Sequence, residues 1–327
     1  MQSVLQPRRA CIASKRGVKL KLEAGNWKLE ALINGVLVID KPAGPTSHDV
    51  VACVRRVLRT PRVGHTGTLD PLATGVLPLV IGTATRLASL LTAGEKEYVA
   101  GIRLGLETDT YDAVGRESVP PPPAAIVLDD LERALEGFRG DFDQLPPPYS
   151  AKKVDGVRAY KLARKQIPVQ PGAARVTVHH LAIEGYGDGL VTVRVSASAG
   201  FYVRSLAHDL GKKLGCGAHL ETLRRVRAGT FREEDAIGLG ALDREGTEAV
   251  RAIIPLERLL PHIPLVVLND HNRDRALHGA HVPDPEPATP LSGATLTRRR
   301  LIDGAGRLIA IAEARPGGVL HPVIVLV

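Results

Sequence analysis

Arg62-Val-Gly-His-Thr-Gly-Thr-Leu-Asp-Pro-Leu-Ala-Thr-Gly-Val-Leu-Pro78 is the stretch from which the chain is best read. It reads as a long loop rich in glycine, threonine and proline, and ordered loops of such length usually serve a function. Its glycines let backbone approach a ligand closely. Asp70 stands in its middle, and Pro71 stiffens the backbone beside that carboxylate. A carboxylate so placed can serve as nucleophile, base or metal ligand, although Asp-Pro is also a common turn. No Gly-Lys-Ser/Thr follows, so the loop is not one that cradles phosphates.

Upstream, Gly35-Val-Leu-Val-Ile-Asp40 predicts a buried strand and Lys41-Pro-Ala-Gly-Pro45 a loop. Thr46-Ser-His-Asp49 has the capping-box pattern, and Val50, Val54, Val57 and Leu58 follow at helical spacing up to Pro61. Downstream, Tyr98–Leu104 predicts a strand and Pro120–Pro123 a turn. Leu128, Leu131, Leu135 and Phe138 predict a helix closed by Gly140, and Pro146–Pro148 a rigid loop. Residues 175–183 and 190–196 alternate as strands, and Phe201–Leu214 carries Leu206, Leu210 and Leu214 on one helical side. From Pro261 onward, short strands (Leu265–Leu268, Leu308–Ala312, Pro322–Val327) alternate with Gly/Pro/Asp loops. Irregular mixing of strands and helices predicts an α+β fold. We divide the chain into a basic N-terminal extension (1–33), a main domain (34–260) and a small, mostly β domain (261–327).

The chain has 327 residues, 44% of them hydrophobic and 24% charged, as globular proteins do. No apolar run approaches the roughly 20 residues that span a bilayer. Cys11, Cys53 and Cys216 are few and far apart, which fits a reducing cytoplasm better than a disulfide scaffold. Cys216 and His219 have ligand-like spacing without a second pair, so a buried thiol is expected rather than a metal. The net charge of +8 is uneven. Residues 1–30 hold seven Lys/Arg against Glu23 and Glu30, which reads as a polyanion-touching arm or a flexible tail. Between Arg204 and Arg232 lie Arg204, Lys212, Lys213, Arg224, Arg225, Arg227 and Arg232 against Asp209 and Glu221. This suits phosphate contacts that position a folded RNA. Aromatic content is only 3%, which argues against a stacking platform for single strands.

Gly64-His-Thr-Gly-Thr-Leu-Asp-Pro-Leu-Ala-Thr-Gly-Val-Leu-Pro78 resembles the signature loop of the TruB family, the bacterial tRNA pseudouridine-55 synthases. Gly35–Gly44, Lys96-Glu-Tyr98, Thr108–Gly115, Tyr149-Ser-Ala-Lys-Lys153, Gly200-Phe-Tyr-Val-Arg204 and Leu214–Leu220 match the family in order. The likeness runs from about Asn34 to about Arg227. After Pro261, where the family carries a PUA-type RNA-binding domain, only His278-Gly-Ala-His-Val282 and the strand-rich pattern support it. The resemblance implies a mixed β-sheet catalytic domain flanked by helices plus a PUA-like domain.

It also implies a reaction without cofactor or metal, since breaking N1–C1′ and joining C5 to C1′ gains no atoms. Asp70 is then the catalytic aspartate, with Arg204 as its ionic partner, a role that suits a persistent, fork-shaped charge. Tyr98, Tyr202 and Leu223 match residues that hold the base, and Lys41 and Lys153 match lysines near the site. A stacked uridine must be flipped out to be reached, and His65 matches the residue that fills the vacated space. Arg224, Arg225 and Arg227 are expected on the RNA backbone. The implied partner is tRNA, through T-loop and stem, with no membrane, no obligate protein partner, a monomeric state and a cytoplasmic location. Rival readings are a synthase with another RNA target or a guide RNA, a tRNA-binding or RNA-folding protein, and a glycoside hydrolase using Asp109 and Asp112.

Overall fold

The computed structural model describes residues 33–118, 126–150, 152–154, 156–159, 162, 165, 167, 171–244, 250–285 and 297–326. The N-terminal extension up to residue 32, the turn expected at Pro120–Pro123 and the Lys153 side chain lie outside the described residues.

A large mixed sheet is built from β1 (Gly35–Lys41), β2 (Val63–His65), β3 (Thr74–Ile81), β4 (Lys96–Leu104) and, further along, β7 (Gly140–Gln144), β10 (Ala174–Gly187), β11 (Leu190–Ala197), β12 (Ala218–Ala228), β13 (Phe231–Arg232) and β14 (Ala236–Gly238). Its order is β14-β1-β3-β12-β4-β11-β10-β7, with β2 on β3 and β13 on β12. Two small hairpins, β5 (Glu107–Thr108) with β6 (Glu117–Ser118) and β8 (Lys153–Val154) with β9 (Val157–Arg158), lie off it. The second sheet is β15 (Leu265–Val267), β16 (Val282–Pro283), β17 (Arg298–Ile302), β18 (Leu308–Arg315) and β19 (Val319–Val325), in the order β15-β17-β18-β19-β16. The expected α+β class, with a small C-terminal β unit, is what the structure has.

The helices that matter are α1 (Ser47–Val57), α2 (Ala88–Thr92), α3 (Leu128–Glu136) and α4 (Val203–Leu214). The predicted capping box starts α1, with Thr46 and Asp49 satisfying each other's backbone N–H groups, worth about 1 kcal/mol over an uncapped start. Gly215, in the left-handed region at φ 71, ends α4.

Alternation along the strands gives the large sheet two apolar faces. Leu37, Ile39, Leu77, Leu79 and Ile81 point to the face covered by α1, α3 and α4. Val36, Val38, Val76 and Val80 point to the other, where Leu308, Ile311 and Leu326 of the C-terminal unit complete one continuous cluster.

Three sequence expectations are corrected. Both ends of the 62–78 stretch are strand, because Val63, Gly64 and His65 pair with Ile81, Val80 and Leu79, which leaves Thr66–Ala73 as the loop. Helix α3 closes at Gly137, whereas Gly140, at φ 73, opens β7. Leu128 is exposed, and the buried stripe of α3 is Leu131, Ala134 and Leu135.

Candidate active site

Asp70 projects from the Thr66–Ala73 loop, which is tied down from four sides. Ser47, at the start of α1, donates its hydroxyl to the Leu69 carbonyl (3.0 Å) and accepts from the Leu69 N–H (2.8 Å). The Gly44 N–H donates to the Pro71 carbonyl at 2.8 Å. Buried Lys41, at the end of β1, donates to the carbonyls of Ala73 (2.7 Å), Pro42 (2.9 Å) and Pro71 (3.3 Å). Arg225, on β12, donates through Nε to Val76 O at 2.7 Å and through Nη2 to Gly67 O at 3.1 Å. Gly67 has φ +148, and a Cβ there would come within 3.4 Å of that same guanidinium. The loop is thus preorganised by side chains that buried carbonyls need as donors.

Facing it, Arg204 rides on the first turn of α4. Its Nε lies 2.9 Å from Asp70 Oδ2, and the guanidinium is 6% exposed against 35% for the carboxylate. The cation is sealed in while the anion stays reachable. Arg204 also donates to Thr110 O at 3.2 Å and Tyr149 O at 3.0 Å, and Nη1 stands 3.7 Å from Asp112 Oδ2. Asp112 in turn accepts from the Thr110 hydroxyl (2.6 Å) and the Val114 N–H (3.1 Å). A buried guanidinium with this many partners has one orientation, and that orientation turns its Nε toward the Asp70 carboxylate.

The surrounding electrostatics are built from buried cations. Burial pushes the Lys41 amine down to about 8, with Asp70 opposing the shift and Arg225 adding to it. Lys96, which caps the Thr92 and Gly94 carbonyls, is pushed down to about 8 by burial and by Arg225. Burial raises the Tyr202 phenol above its ordinary value, with Arg204 opposing and Asp70 reinforcing. Tyr202 therefore sits within electrostatic reach of both. Its backbone is clamped by Gln144, which donates to Tyr202 O at 3.0 Å and accepts from Tyr202 N at 2.8 Å.

The other expected residues fall as follows. Tyr98 on β4 is half-buried, opposite Arg225 in the β4–β12 pair, whose charge faces its hydroxyl. Leu223 is a buried member of the same apolar face. His65 ends β2 at the mouth of the loop, edge-on to His48 at 5.6 Å, and its Nδ1 accepts from Gly67 N–H at 3.4 Å. The geometry thus gathers Asp70, Arg204, Tyr202, Lys41 and Tyr98 around one end of the sheet.

It does not gather the arginines expected on RNA. Arg225 is 1% exposed and spends its donors on backbone carbonyls. Arg224 points to the opposite face and pairs with Asp40 at 3.1 Å and with Glu233 at 2.5 Å. A register shift between Arg225 and Arg227 puts Arg227 opposite Glu97. There it pairs with Glu97 at 3.2 Å and Glu95 at 3.4 Å. A charge count along the chain cannot show that strand alternation splits these residues between two faces.

Sequence reasoning also missed Asp112 as a partner of Arg204. It lay in the Thr108–Gly115 match but was named only as an acid of the rival glycosidase reading. The glycosidase reading is dropped on the same geometry, since Asp112 is committed to Arg204 and Asp109 accepts the Arg116 N–H at 2.8 Å. Cys216 is buried and His219 Nδ1 lies 2.9 Å from the Leu106 carbonyl.

Residues 55–203 match the family described as TruB family pseudouridylate synthase (N terminal domain). Residues 204–261 match the tRNA pseudouridylate synthase B C-terminal domain. The chain is 42% identical over 297 residues to a tRNA pseudouridine synthase B of Solibacter usitatus, covering 90% of this chain and 100% of that protein. It is 42% identical over 300 residues to that of Pseudomonas aeruginosa, covering 90% and 96%. Among solved structures, a chain of an H/ACA RNP bound to a substrate RNA containing 2'-deoxyuridine has a TM-score of 0.68 at 25% identity, covering 99% and 97%. One from a Cbf5-Nop10-Gar1 complex has 0.69 at 27%, covering 98% and 95%.

Proposed function

The chain belongs to the TruB family of pseudouridylate synthases, and on that premise we propose that Asp70, held by Arg204, is the group that acts on the ribose of the target nucleotide. The enzyme is an isomerase that converts uridine 55 in the T-loop of tRNA to pseudouridine. In that reaction N1–C1′ breaks, the base turns, C5 joins C1′, the C5 proton leaves and the freed N1 takes up a proton. Attack of the carboxylate on C1′ and removal of a ribose proton to give a glycal both use an ionised Asp70. The observation that carries the assignment is the 2.9 Å contact between Asp70 and the buried Arg204.

Around this pair, Tyr98, Tyr202 and Leu223 form the walls of the uracil pocket in our reading, and Lys41 fixes the loop. His65 fills the space left by the flipped base and so recovers part of the lost stacking. Lys153 is assigned to the RNA side on its sequence match alone. We assign 34–260 to catalysis and 261–327, which lies past both family matches but for residue 261, to a PUA-like RNA-binding domain. The protein acts alone, as a monomer, in the cytoplasm. Supporting this is its 42% identity to the bacterial relatives against 25% and 27% to the chains of the H/ACA RNP and the Cbf5-Nop10-Gar1 complex. Among the described residues no helix is long and apolar enough to cross a membrane.

The test is tritium release from a tRNA transcript carrying C5-labelled uridine, with purified protein and nothing else. Stoichiometric release from the normal T-loop, and its loss when cytidine replaces uridine 55, is the expected result. Release only after adding a guide RNA or partner proteins would overturn the stand-alone reading. Tight binding without release under any condition would favour an RNA-binding or RNA-folding role.

A further inference from the structure

Tyr111 and His208 lie outside every role described so far. Their rings stack with centroids 3.7 Å apart and planes 8° from parallel. His208 is 6% exposed, and neither ring nitrogen has a hydrogen-bond partner. A buried polar ring held without hydrogen bonds costs free energy that something must offset, and the stack is the contact available to do so. Burial, with Lys212 adding, lowers the imidazole to about 4, so the stacked ring is neutral.

The position of the pair gives it a purpose. His208 follows Arg204 by one turn of α4, so the two share a helical side. Tyr111 has φ 64, a left-handed conformation uncommon for a bulky residue. This reversal lets the residues on either side of it, Thr110 through its carbonyl and Asp112 through its carboxylate, both face Arg204. The backbone of the same loop is stitched to β12, with Leu220 N–H donating to Tyr111 O at 3.0 Å and Ala113 N–H to Leu220 O at 2.9 Å. Those bonds tie the loop to the sheet, whereas Arg204 belongs to the helix. Beside the contacts of Arg204 itself, the ring stack joins the tip of the loop to the helix through side chains.

We propose that the Tyr111–His208 stack is a positioning element for the reaction: it registers the Thr108–Gly115 loop on α4 so that Thr110 and Asp112 hold the Arg204 guanidinium against Asp70. The inference rests on Asp70 as the acting carboxylate and Arg204 as the group that holds it. Misplacement of a catalytic group by about 1 Å can cost on the order of 100-fold in rate.

The experiment is single-turnover pseudouridine formation, with tRNA affinity measured separately, for His208→Ala, His208→Phe and Tyr111→Ala. Each is also made in an Arg204→Lys background. His208→Ala and Tyr111→Ala should slow turnover about 10- to 100-fold and leave affinity within about 3-fold. His208→Phe, which keeps a flat ring, should restore most of the rate. In the Arg204→Lys background, His208→Ala should add little further loss, since the stack acts through Arg204. A wild-type rate in His208→Ala would overturn the proposal, as would a His208→Phe as slow as His208→Ala, or losses that multiply in the Arg204→Lys background. If His208→Ala fails to fold, Tyr111→Ala and His208→Phe decide alone. An active Asp70→Asn would sink the underlying assignment instead, so the two failures are told apart.

Discussion

Ser47 and Leu69 exchange hydrogen bonds in both directions, hydroxyl to carbonyl at 3.0 Å and N–H to hydroxyl at 2.8 Å. One side chain at the start of α1 thereby fixes both polar groups of the residue before Asp70. Removing the hydroxyl strands two buried groups, each costing about 1–3 kcal/mol when unsatisfied. Ser47→Ala is expected to lower stability by about that amount and turnover by about 10-fold. Urea unfolding and tritium release check both, and unchanged turnover at reduced stability would remove Ser47 from the positioning of Asp70.

Arg225 tests the correction made to the basic run. Its donors serve Val76 O and Gly67 O, so Arg225→Met should cost about 2–4 kcal/mol in urea unfolding by leaving those carbonyls unpaired. Arg224→Ala and Arg227→Ala remove charges already paired with Asp40, Glu233, Glu95 and Glu97. Both should leave the salt dependence of tRNA binding unchanged. A log–log slope lowered by about one in either variant would return that arginine to a phosphate contact.

Lys41 and Lys96 have folded-state values of about 8 against an ordinary 10.5. Between those pH values the unfolded chain binds more protons at these groups than the folded one, so stability from this source rises with pH. Below about pH 8 both states are charged and the burial penalty is fully present. Lys41→Met and Lys96→Met should each flatten the rise in unfolding free energy between pH 8 and 10 relative to wild type. Identical slopes in wild type and variants would show that neither amine is depressed.

Much of this architecture was legible in the sequence. β1, β4, β10 and β11 announced themselves by apolar runs or period-two alternation, and α1 by its capping box, because those signals are local. The Asp70–Arg204 meeting was legible only through resemblance, since no local pattern joins residues so far apart in the chain. β2 was hidden because three residues pair with the far end of β3, a non-local contact without a periodic signal. The Arg224–Arg227 run misled because the register shift between Arg225 and Arg227 decides which face each residue takes. Composition does not record such a shift. Asp112 was hidden because a carboxylate in a turn looks the same whether it caps the backbone or reaches a distant guanidinium.

The C-terminal unit was readable as a separate set of strands, but its docking was not. Ile311 is fully buried in the cluster that also holds Val36, Val38, Val76 and Val80. Ile311→Ala should therefore destabilise the whole protein by about 2–5 kcal/mol within a single cooperative transition. Calorimetry that resolves two transitions, with only the lower one shifted, would show two independently folding units.

The central claim is that the Asp70 carboxylate performs the chemistry while the rest of the loop and Arg204 hold it. Asp70→Asn keeps size and shape and removes the charge. The direct measurement is tritium release from C5-labelled tRNA by Asp70→Asn beside wild type, with tRNA affinity recorded for both. The account predicts no release above background by the variant and affinity within about 3-fold of wild type, since phosphate contacts and shape supply the binding. Release at more than a few per cent of the wild-type rate would contradict it.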